Sequence, residues 1–547
     1  MFRKGKYFLI PVILLVFSGF FKSDGDIYFQ VSRSIDIFGR VYKEVSFNYV
    51  DNLNPEEFMI SGINGMLASL DPYTVFIDEK RKSDIDLLTS GKYGGIGISI
   101  GLRNEKVTIV DLLDGYSAQR QGMRIGDVIT KVNDVPISKD NFEDISSLVK
   151  GDPGSEVKVT VTRDTDEEMI FDLQREEIKV KNLTYGGFVP ENSSNAYLKL
   201  TGFSRTAGDE IQKSLSELKS QKELGSIILD LRGNPGGLLD AAVDVCEKFL
   251  DKNQLIVTVR GRDSSNNKSY LASEDPVAGK TRLVVLVDSG SASASEIVAA
   301  AIQDHDRGII LGTDTFGKGL VQTVIPLSYN TSLKITTAKY YTPSGRCIQK
   351  VDYSKNNKVF ISEKGTAVQA YKTDHSRAVY GSGGIKPDTL VENDSDVNVV
   401  SELQSHGLIF RYASLFANSH IKDDYSKINN DLLFNGFIDF IKKQNYKYRS
   451  EIEKQIGSMR EAASKEKYNK SILDQLGSLE NQFKNMRDFE IINHKPEIIN
   501  ALRSELISRF QGSSGRIKES LNYDRQFKIA LDVVRNEEIY NHLLTHQ

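Results

Sequence analysis

Between residues 196 and 312 short apolar runs alternate with helical stretches, and this alternation limits the possible folds more than any other feature of the chain. Ser226-Ile227-Ile228-Leu229-Asp230-Leu231 and Leu283-Val284-Val285-Leu286-Val287 are almost unbroken apolar runs. Strands of that kind are covered on both faces, as in a parallel sheet flanked by helices. Residues 196–200 and 309–312 read as further strands, and residues 207–218, 238–250 and 293–303 as the helices between them. The order predicts an α/β unit with a largely parallel sheet. Residues 320–327 and 332–340 then alternate as the strands of a hairpin.

The remainder of the chain is built differently. At about 150 residues per domain, 547 residues should hold three or four domains. Apolar residues make up 39% and charged residues 26%, which excludes a disordered or multi-span membrane chain. Lys plus Arg total 70 against 74 Asp plus Glu, so no basic surface marks a nucleic-acid binder. Only two cysteines, Cys246 and Cys347, exclude a disulfide scaffold and the usual four-ligand zinc site. No metal and no cofactor is expected.

Arg3, Lys4 and Lys6 precede an uncharged run over residues 7–21. Residues 1–24 therefore read as a secretory signal or an uncleaved N-terminal anchor, and the bulk of the chain as exported. Ile27, Val31, Ile35, Phe38, Val41 and Val45 share one helix face. Asn54-Pro55 reads as an N-cap with proline at N1, opening a second helix to about residue 70. Residues 25–90 are thus a helical arm, whose apolar stripe needs a later domain or a second subunit to cover it. Residues 395–547 are charged and helical, with Leu473, Leu476, Leu479 and Phe483 on one face. They show no recognisable chemistry and read as a structural or partner-binding appendix.

Residues 91–178 change period again. A glycine-rich turn, Gly94-Gly95-Ile96-Gly97-Ile98, enters an alternating strand. Gly126-Asp127 marks a turn, Asp140 or Asn141 can cap a helix carrying Phe142, Ile145, Leu148 and Val149, and residues 157–161 alternate as a closing strand. Short strands around one or two helices make a small, partly open β-barrel, and the order resembles a PDZ domain. Backbone N–H groups of Gly95, Ile96, Gly97 and Ile98 could hold a peptide carboxylate. The peptide would add as a strand beside Ile98, with its last side chain against Ile98, Ile145 and Leu148.

Chemistry concentrates in two segments, Gly290-Ser291-Ala292-Ser293-Ala294-Ser295-Glu296 and Gly312-Thr313-Asp314-Thr315-Phe316-Gly317-Lys318-Gly319. A serine at a strand-to-helix turn sits beside the free N–H groups of the new helix, which are ready donors to an oxyanion. His305 lies about three turns further along the same helix, about 18 Å away, and cannot serve as its base; it reads as a surface polar residue. Lysine can replace histidine when neutral. Bringing a free lysine from about 10.4 to 7–8 takes roughly 3.5–5 kcal/mol of differential environment, attainable by burial.

These segments, with Asp230-Leu231-Arg232-Gly233-Asn234-Pro235-Gly236-Gly237, Tyr341-Thr342-Pro343-Ser344-Gly345-Arg346 and Gly383-Gly384-Ile385-Lys386-Pro387-Asp388, resemble the carboxy-terminal processing (tail-specific) proteases, peptidase family S41. The resemblance covers about residues 30–390. It implies a Ser/Lys dyad of Ser293 and Lys318, with Gln322 orienting the lysine, and oxyanion donors at Ala294 and at Gly236 or Gly237. It implies a protease core over residues 179–394 with an embedded PDZ domain. The expected activity is an exported serine endopeptidase of the cell envelope, periplasmic or anchored in the inner membrane and facing the periplasm. Its substrates would be proteins with unstructured, apolar C-terminal tails. A homo-oligomer through the helical arm is a further expectation.

Two other readings compete with this one. Residues 312–318 nearly fit a phosphate loop, but Gly319 replaces the metal-binding hydroxyl and a strand pattern follows where a helix is required. A non-catalytic peptide-binding scaffold would have no use for both Ser293 and Lys318.

Overall fold

The computed structural model describes residues 24–79, 91–163, 165–353, 359–360, 369–381, 383–392, 398–420 and 428–545. The expected leader lies, apart from residue 24, outside them. Among the described residues no helix is long and apolar enough to cross a membrane.

The described residues divide into two separate compact units, one ending at residue 76 and the other starting at residue 77. In the first, helices α1 (Asp24–Asn48) and α2 (Pro55–Leu67) carry the expected arm. Asn54 caps α2, its side chain accepting from the Glu56 N–H at 3.1 Å, with proline at the first turn. Tyr42 stacks on Phe58 at 5.7 Å and donates to the Pro55 carbonyl at 2.8 Å, which ties the two helices together. Ile27, Phe29, Val31 and Ile35 stay exposed.

The second unit begins with the glycine-rich segment. Strand β1 (Lys92–Gly95) leads into β2 (Ile98–Arg103) and β3 (Lys106–Leu112); helix α3 (Ser117–Arg120) and β4 (Val128–Val132) follow. A 3-10 turn over Lys139–Asp144 runs into α4 (Ile145–Val149), then come β5 (Glu156–Arg163), β6 (Thr165–Gln174) and β7 (Glu176–Lys179). The sheet order is β2-β3-β4-β5-β6, with Val135–Pro136 pairing on β4, while β1 pairs with β7. Strand β2 is therefore an edge. Ser138 caps the 3-10 turn, rather than Asp140 or Asn141, because its side chain accepts from the Asp140 N–H.

The part of this unit that follows is the predicted alternation. Strands β8 (Leu183–Phe188), β9 (Asn195–Leu200), β10 (Ser226–Asp230), β13 (Arg282–Val287), β14 (Ile309–Gly312) and β17 (Thr389–Leu390) form one sheet. Its order is β8-β9-β10-β13-β14-β17, parallel throughout except for β8 against β9. Helices α5 (Ala207–Gln221), α6 (Leu239–Glu247) and α7 (Ala294–Asp304) lie between the strands in sequence. Strands β11 (Leu255–Gly261), β12 (Lys268–Leu271), β15 (Leu320–Pro326) and β16 (Ser332–Tyr341) build a second, antiparallel sheet that contains the expected hairpin.

The main sheet is buried on both faces. Leu198, Ile227, Leu229 and Val285 pack with α5, α6 and α7. Tyr197, Ile228, Val284 and Leu286, which alternate with them, pack against helices α14 (Arg525–Arg535) and α15 (Glu537–Thr545). The segment after residue 395 is thus more than an appendix, because its last two helices cover a face of the main sheet. Helices α8 (Asn398–Ser405), α9 (Leu408–Ser419), α10 (Asn430–Lys443), α11 (Glu451–Lys465), α12 (Lys470–Asn493) and α13 (Lys495–Leu521) precede them, with a separate core around Leu433, Phe437, Ile498 and Leu502.

The Gly126-Asp127 turn is held by charge. Asp127, 1% exposed, takes two bonds of 2.7 Å from Arg163 and one of 2.8 Å from the Arg124 N–H. Removing one partner of a buried pair leaves the other uncompensated, a loss of about 3–5 kcal/mol. Asp127→Ala should therefore lower the unfolding free energy of this domain by about 3 kcal/mol, read from its transition in scanning calorimetry; a shift below about 1 kcal/mol contradicts the assignment.

Candidate active site

The C-terminal ends of β10 and β13 and the start of α7 meet at Ser293. Its backbone stands at φ 54°, ψ −110°, a conformation that a residue with a side chain rarely adopts. Two contacts hold it there. Asn234 Nδ2 donates to the Leu200 carbonyl at 2.9 Å, while the Asn234 carbonyl accepts from the Ala292 N–H at 3.0 Å and from Ser295 Oγ at 2.9 Å. On the other side the Glu296 carboxylate reaches back to the Ser293 N–H at 2.8 Å.

Glu296 does more than close the helix start. The same carboxylate accepts from Thr315 Oγ1 at 2.6 Å and from the N–H groups of Gly317 at 2.8 Å and Lys318 at 2.9 Å. One fully buried side chain therefore fixes the backbones of both Ser293 and Lys318. Burial pushes its pKa up to about 7, against the pull of the four donors toward the charged form. Tyr340, from β16, adds a second tie: its hydroxyl lies 3.2 Å from the Ser293 carbonyl and 2.5 Å from the Lys318 carbonyl. Burial, with Glu296 nearby, raises the Tyr340 pKa well above the ordinary tyrosine value, so the hydroxyl keeps its proton.

Lys318 is half-buried and follows Gly317 into β15. Gln322, also half-buried on β15, donates from Nε2 to Thr336 Oγ1 at 3.3 Å across the hairpin.

The glycine turn at residues 233–237 faces the same point. At Gly236 (φ 97°) a Cβ would stand 2.6 Å from the Ala292 carbonyl oxygen and 3.0 Å from the Ser293 Cβ, so only glycine fits. Its N–H is taken by Asn234 Oδ1 at 2.9 Å, which removes Gly236 as an oxyanion donor. The N–H groups of Gly237 and Ala294 donate to nothing among the described residues. His305 departs from its reading as a surface residue. Its side chain is 9% exposed, bonded to Asp374 at 2.8 Å and to the Leu255 carbonyl at 2.7 Å at the far end of α7.

At the second candidate site the carbonyls of Ile96 and Gly97 accept from Ala118 at 3.1 Å and Leu113 at 2.9 Å. The N–H groups of Ile96 and Gly97 have no partner among the described residues. Gly95 pairs with Glu176 in the β1–β7 ladder. Gly97 has φ 81°, and a Cβ there would stand 2.5 Å from the Tyr116 Cβ. Ile98 and Leu148 are half-buried beside the β2 edge, but Ile145 is 0% exposed inside the core, so it cannot meet a ligand side chain as expected. Arg175 closes the back of α4, donating to the carbonyls of Leu148 at 2.8 Å and Val149 at 2.9 Å.

Sequence reasoning quoted Glu296 and Asn234 within motifs without giving them roles, and did not single out Tyr340. A glutamate three residues after a helix-opening serine is a capping-box signal, and it was the available pointer. Nothing local points to Tyr340, which is brought in by the pairing of distant strands.

Residues 194–358 match "Peptidase family S41", residues 108–163 "PDZ domain", and residues 399–534 "Probable PDZ-protease, C-terminal helical domain". The chain is 35% identical over 354 residues to the carboxy-terminal-processing protease of Bartonella bacilliformis, covering 64% of this chain and 80% of that protein. It is 30% identical over 360 residues to the carboxy-terminal processing protease CtpA of Bacillus subtilis, covering 64% and 76%. Among solved structures, a photosystem II D1 C-terminal processing protease is 27% identical with a TM-score of 0.36, covering 65% of this chain and 86% of that one. The chain belongs to peptidase family S41, serine-type peptidases, and joins to the peptidase core a PDZ domain and a C-terminal helical domain.

Proposed function

We propose that this peptidase is an exported endopeptidase that captures the C-terminal tail of a protein on its PDZ domain and cuts the chain with a Ser293/Lys318 dyad. The observation that carries the reading is the single buried carboxylate of Glu296 on the N–H groups of both Ser293 and Lys318. In the reaction Lys318, neutral, takes the Ser293 proton as Oγ attacks the scissile carbonyl. The N–H groups of Ala294 and Gly237 face the developing oxyanion. Lys318 then returns the proton to the leaving amine, and water repeats the sequence on the acyl-enzyme. Gln322 orients the lysine.

The domain division goes with this reading: arm 25–90, PDZ 91–178, core 179–394 and helical segment 395–547. The β2 edge would take the tail as an added strand, with its carboxylate on the Ile96 and Gly97 N–H groups. Residues 7–21 are the export signal or anchor, which puts the enzyme in the cell envelope. The exposed stripe of α1, with Ile27, Val31 and Ile35, is the surface for a second copy.

Ser293→Ala and Lys318→Ala should each abolish cleavage of an unfolded protein with a small apolar C-terminus while leaving the circular dichroism spectrum unchanged. Lys318→Arg should be equally inactive, since a guanidinium does not release its proton near neutrality. Gln322→Ala should slow turnover without reaching those levels. Cleavage retained by any of the first three sinks the dyad.

Glu296→Gln places an NH2 where backbone donors need an acceptor, which costs about 1–3 kcal/mol per unmet group, and turnover should fall at least about tenfold. The titration has a definite sign. Because burial raises Glu296 from 4.5 to about 7, the folded chain holds a proton over that window that the unfolded chain has released. Its stabilising effect is complete below about pH 4.5 and is lost as the pH rises through 7. Measured by denaturant unfolding, the wild-type chain should lose stability relative to Glu296→Gln across that range. A constant difference contradicts it.

Amidating the substrate's C-terminus removes the charge that the Ile96–Gly97 turn would hold, and cleavage of a full-length tail should drop. Equal rates for amidated and free-acid substrates defeat tail recognition by this domain.

A further inference from the structure

The glycine turn that supplies Gly237 begins at Arg232, and that side chain does not face the active site. It is 11% exposed and lies between two carboxylates, Asp230 from its own strand and Asp524 from the C-terminal helical segment, 292 residues away in sequence. The guanidinium has five N–H donors, and three partners fill them. Nε bonds Asp230 at 3.0 Å, Nη2 bonds Asp230 and Asp524 at 2.6 Å each, and Nη1 bonds Asp524 at 3.1 Å and Gln526 at 2.9 Å. Gln526, 1% exposed, is itself held by donating to the Val391 carbonyl at 2.6 Å.

The charges balance around this point. Lys199 bonds Asp230 at 3.0 Å and the Arg232 carbonyl at 2.8 Å, and Tyr197 donates to Asp230 at 2.6 Å. Burial alone would raise the Asp230 pKa, but Arg232 and Lys199 hold it well below the usual carboxylate range. Two cations face two anions, so Arg232 keeps a partner if Asp524 is removed. What it loses is the acceptor for two of its five donors, and with it the fork that ties the start of the turn to the C-terminal helical segment. The inner side is pinned separately: Asn234 bonds the Leu200 carbonyl, and the Gly233 N–H bonds Asp288 at 2.8 Å.

We propose that Asp524 is a positioning residue for the oxyanion turn, acting through Arg232, so that catalysis at Ser293 depends on the C-terminal helical segment. The inference rests on the reading of Ser293 as nucleophile and the Gly237 N–H as an oxyanion donor. Asp524 is suited to a local role because the helix it opens does not need it for docking. Phe527, Ala530, Leu531 and Val534 are buried against Tyr197, Ile228, Val284 and Leu286 of the sheet. Asp524 also caps that helix, its Oδ1 accepting from the Phe527 N–H at 2.9 Å.

The two roles of Asp524 separate in one substitution. Asparagine caps a helix about as well as aspartate, but it cannot serve a guanidinium as a two-oxygen charged acceptor. In the full chain, Asp524→Asn should therefore keep the melting temperature within about 5 °C of wild type, given that the cap is retained. Losing one oxyanion donor outright costs about 10²–10³ in kcat, so a loosened one should cost about tenfold, with KM within about twofold. A fluorophosphonate probe should label Ser293 more slowly by the same factor as kcat falls. Asp524→Asn turnover within about twofold of wild type overturns the inference, and so does a loss no larger than the loss of folded chain at the assay temperature. Ser293→Ala in parallel keeps the failures apart. If it still cleaves, the nucleophile reading fails and takes this inference with it. If it is dead while Asp524→Asn runs at full rate, only the role of Asp524 fails.

Discussion

One buried carboxylate organises the candidate active site. Glu296 has no solvent to lean on, and its four donors are the Ser293, Gly317 and Lys318 N–H groups and the Thr315 hydroxyl. The two segments it joins come from different places, one opening α7 and the other leaving β14 for the antiparallel hairpin. Each is glycine- or alanine-rich and has little side-chain packing of its own to fix its course. One carboxyl group accepting from three backbone N–H groups sets two loops in register. The strained backbone of Ser293 persists because its surroundings over-determine it: Glu296 holds its N–H, Tyr340 its carbonyl, and Asn234 the residue before it.

The sheet beneath explains why the chain continues past the motifs. Strands β9, β10 and β13 are apolar on both faces, and α5, α6 and α7 cover only one. Ile228, Val284, Leu286 and Tyr197 would otherwise face water. Helix α14 puts Phe527, Ala530, Leu531 and Val534 against them, with Phe527 edge-on to Tyr197 at 5.3 Å. Tyr540 from α15 adds a polar tie, accepting from the Leu283 N–H at 3.0 Å. The helical segment is thus part of the catalytic unit's own core, and the Arg232–Asp524 bond sits at the rim of that interface.

How far the sequence could be read follows from what each signal rests on. The parallel strands, the PDZ-like order, the hairpin and the Asn54-Pro55 helix start were legible because each is local: an apolar run, a glycine turn, a cap. Ser293 and Lys318 stood out through motifs dense in small residues. Harder to see was anything set by a partner far along the chain. Gly236 and Gly237 look alike in sequence, and only the Asn234 side chain decides that the first N–H is occupied. Ile145 has the right helical position for a ligand groove but is turned fully into the core. His305 looked exposed because the loop carrying Asp374, which covers it, gives no pattern. The unbroken apolar runs did announce two covered faces, yet nothing in residues 525–545 said that this helix pair was the cover.

The same segment reaches the PDZ domain by weaker means. Arg124 bonds Asn418 at 3.2 Å, Ser513 bonds Asp111 at 2.8 Å beside the kink of α13 at Gly512, and Gly126 packs against Ser414. These are mostly polar contacts near the surface, each worth at most about 1 kcal/mol, in contrast to the apolar docking of α14 on the sheet. They touch the β3–β4 side of the PDZ sheet and the far end of β2, where Arg103 lies over the Phe410 ring at 5.7 Å, and none of them involves Ile98 or Leu148. A domain held this way can shift at modest cost, whereas the helical segment cannot leave the core without exposing its apolar face. The sheet, α14 and the Arg232 fork therefore form one apolar-docked frame, to which these contacts tie the PDZ domain.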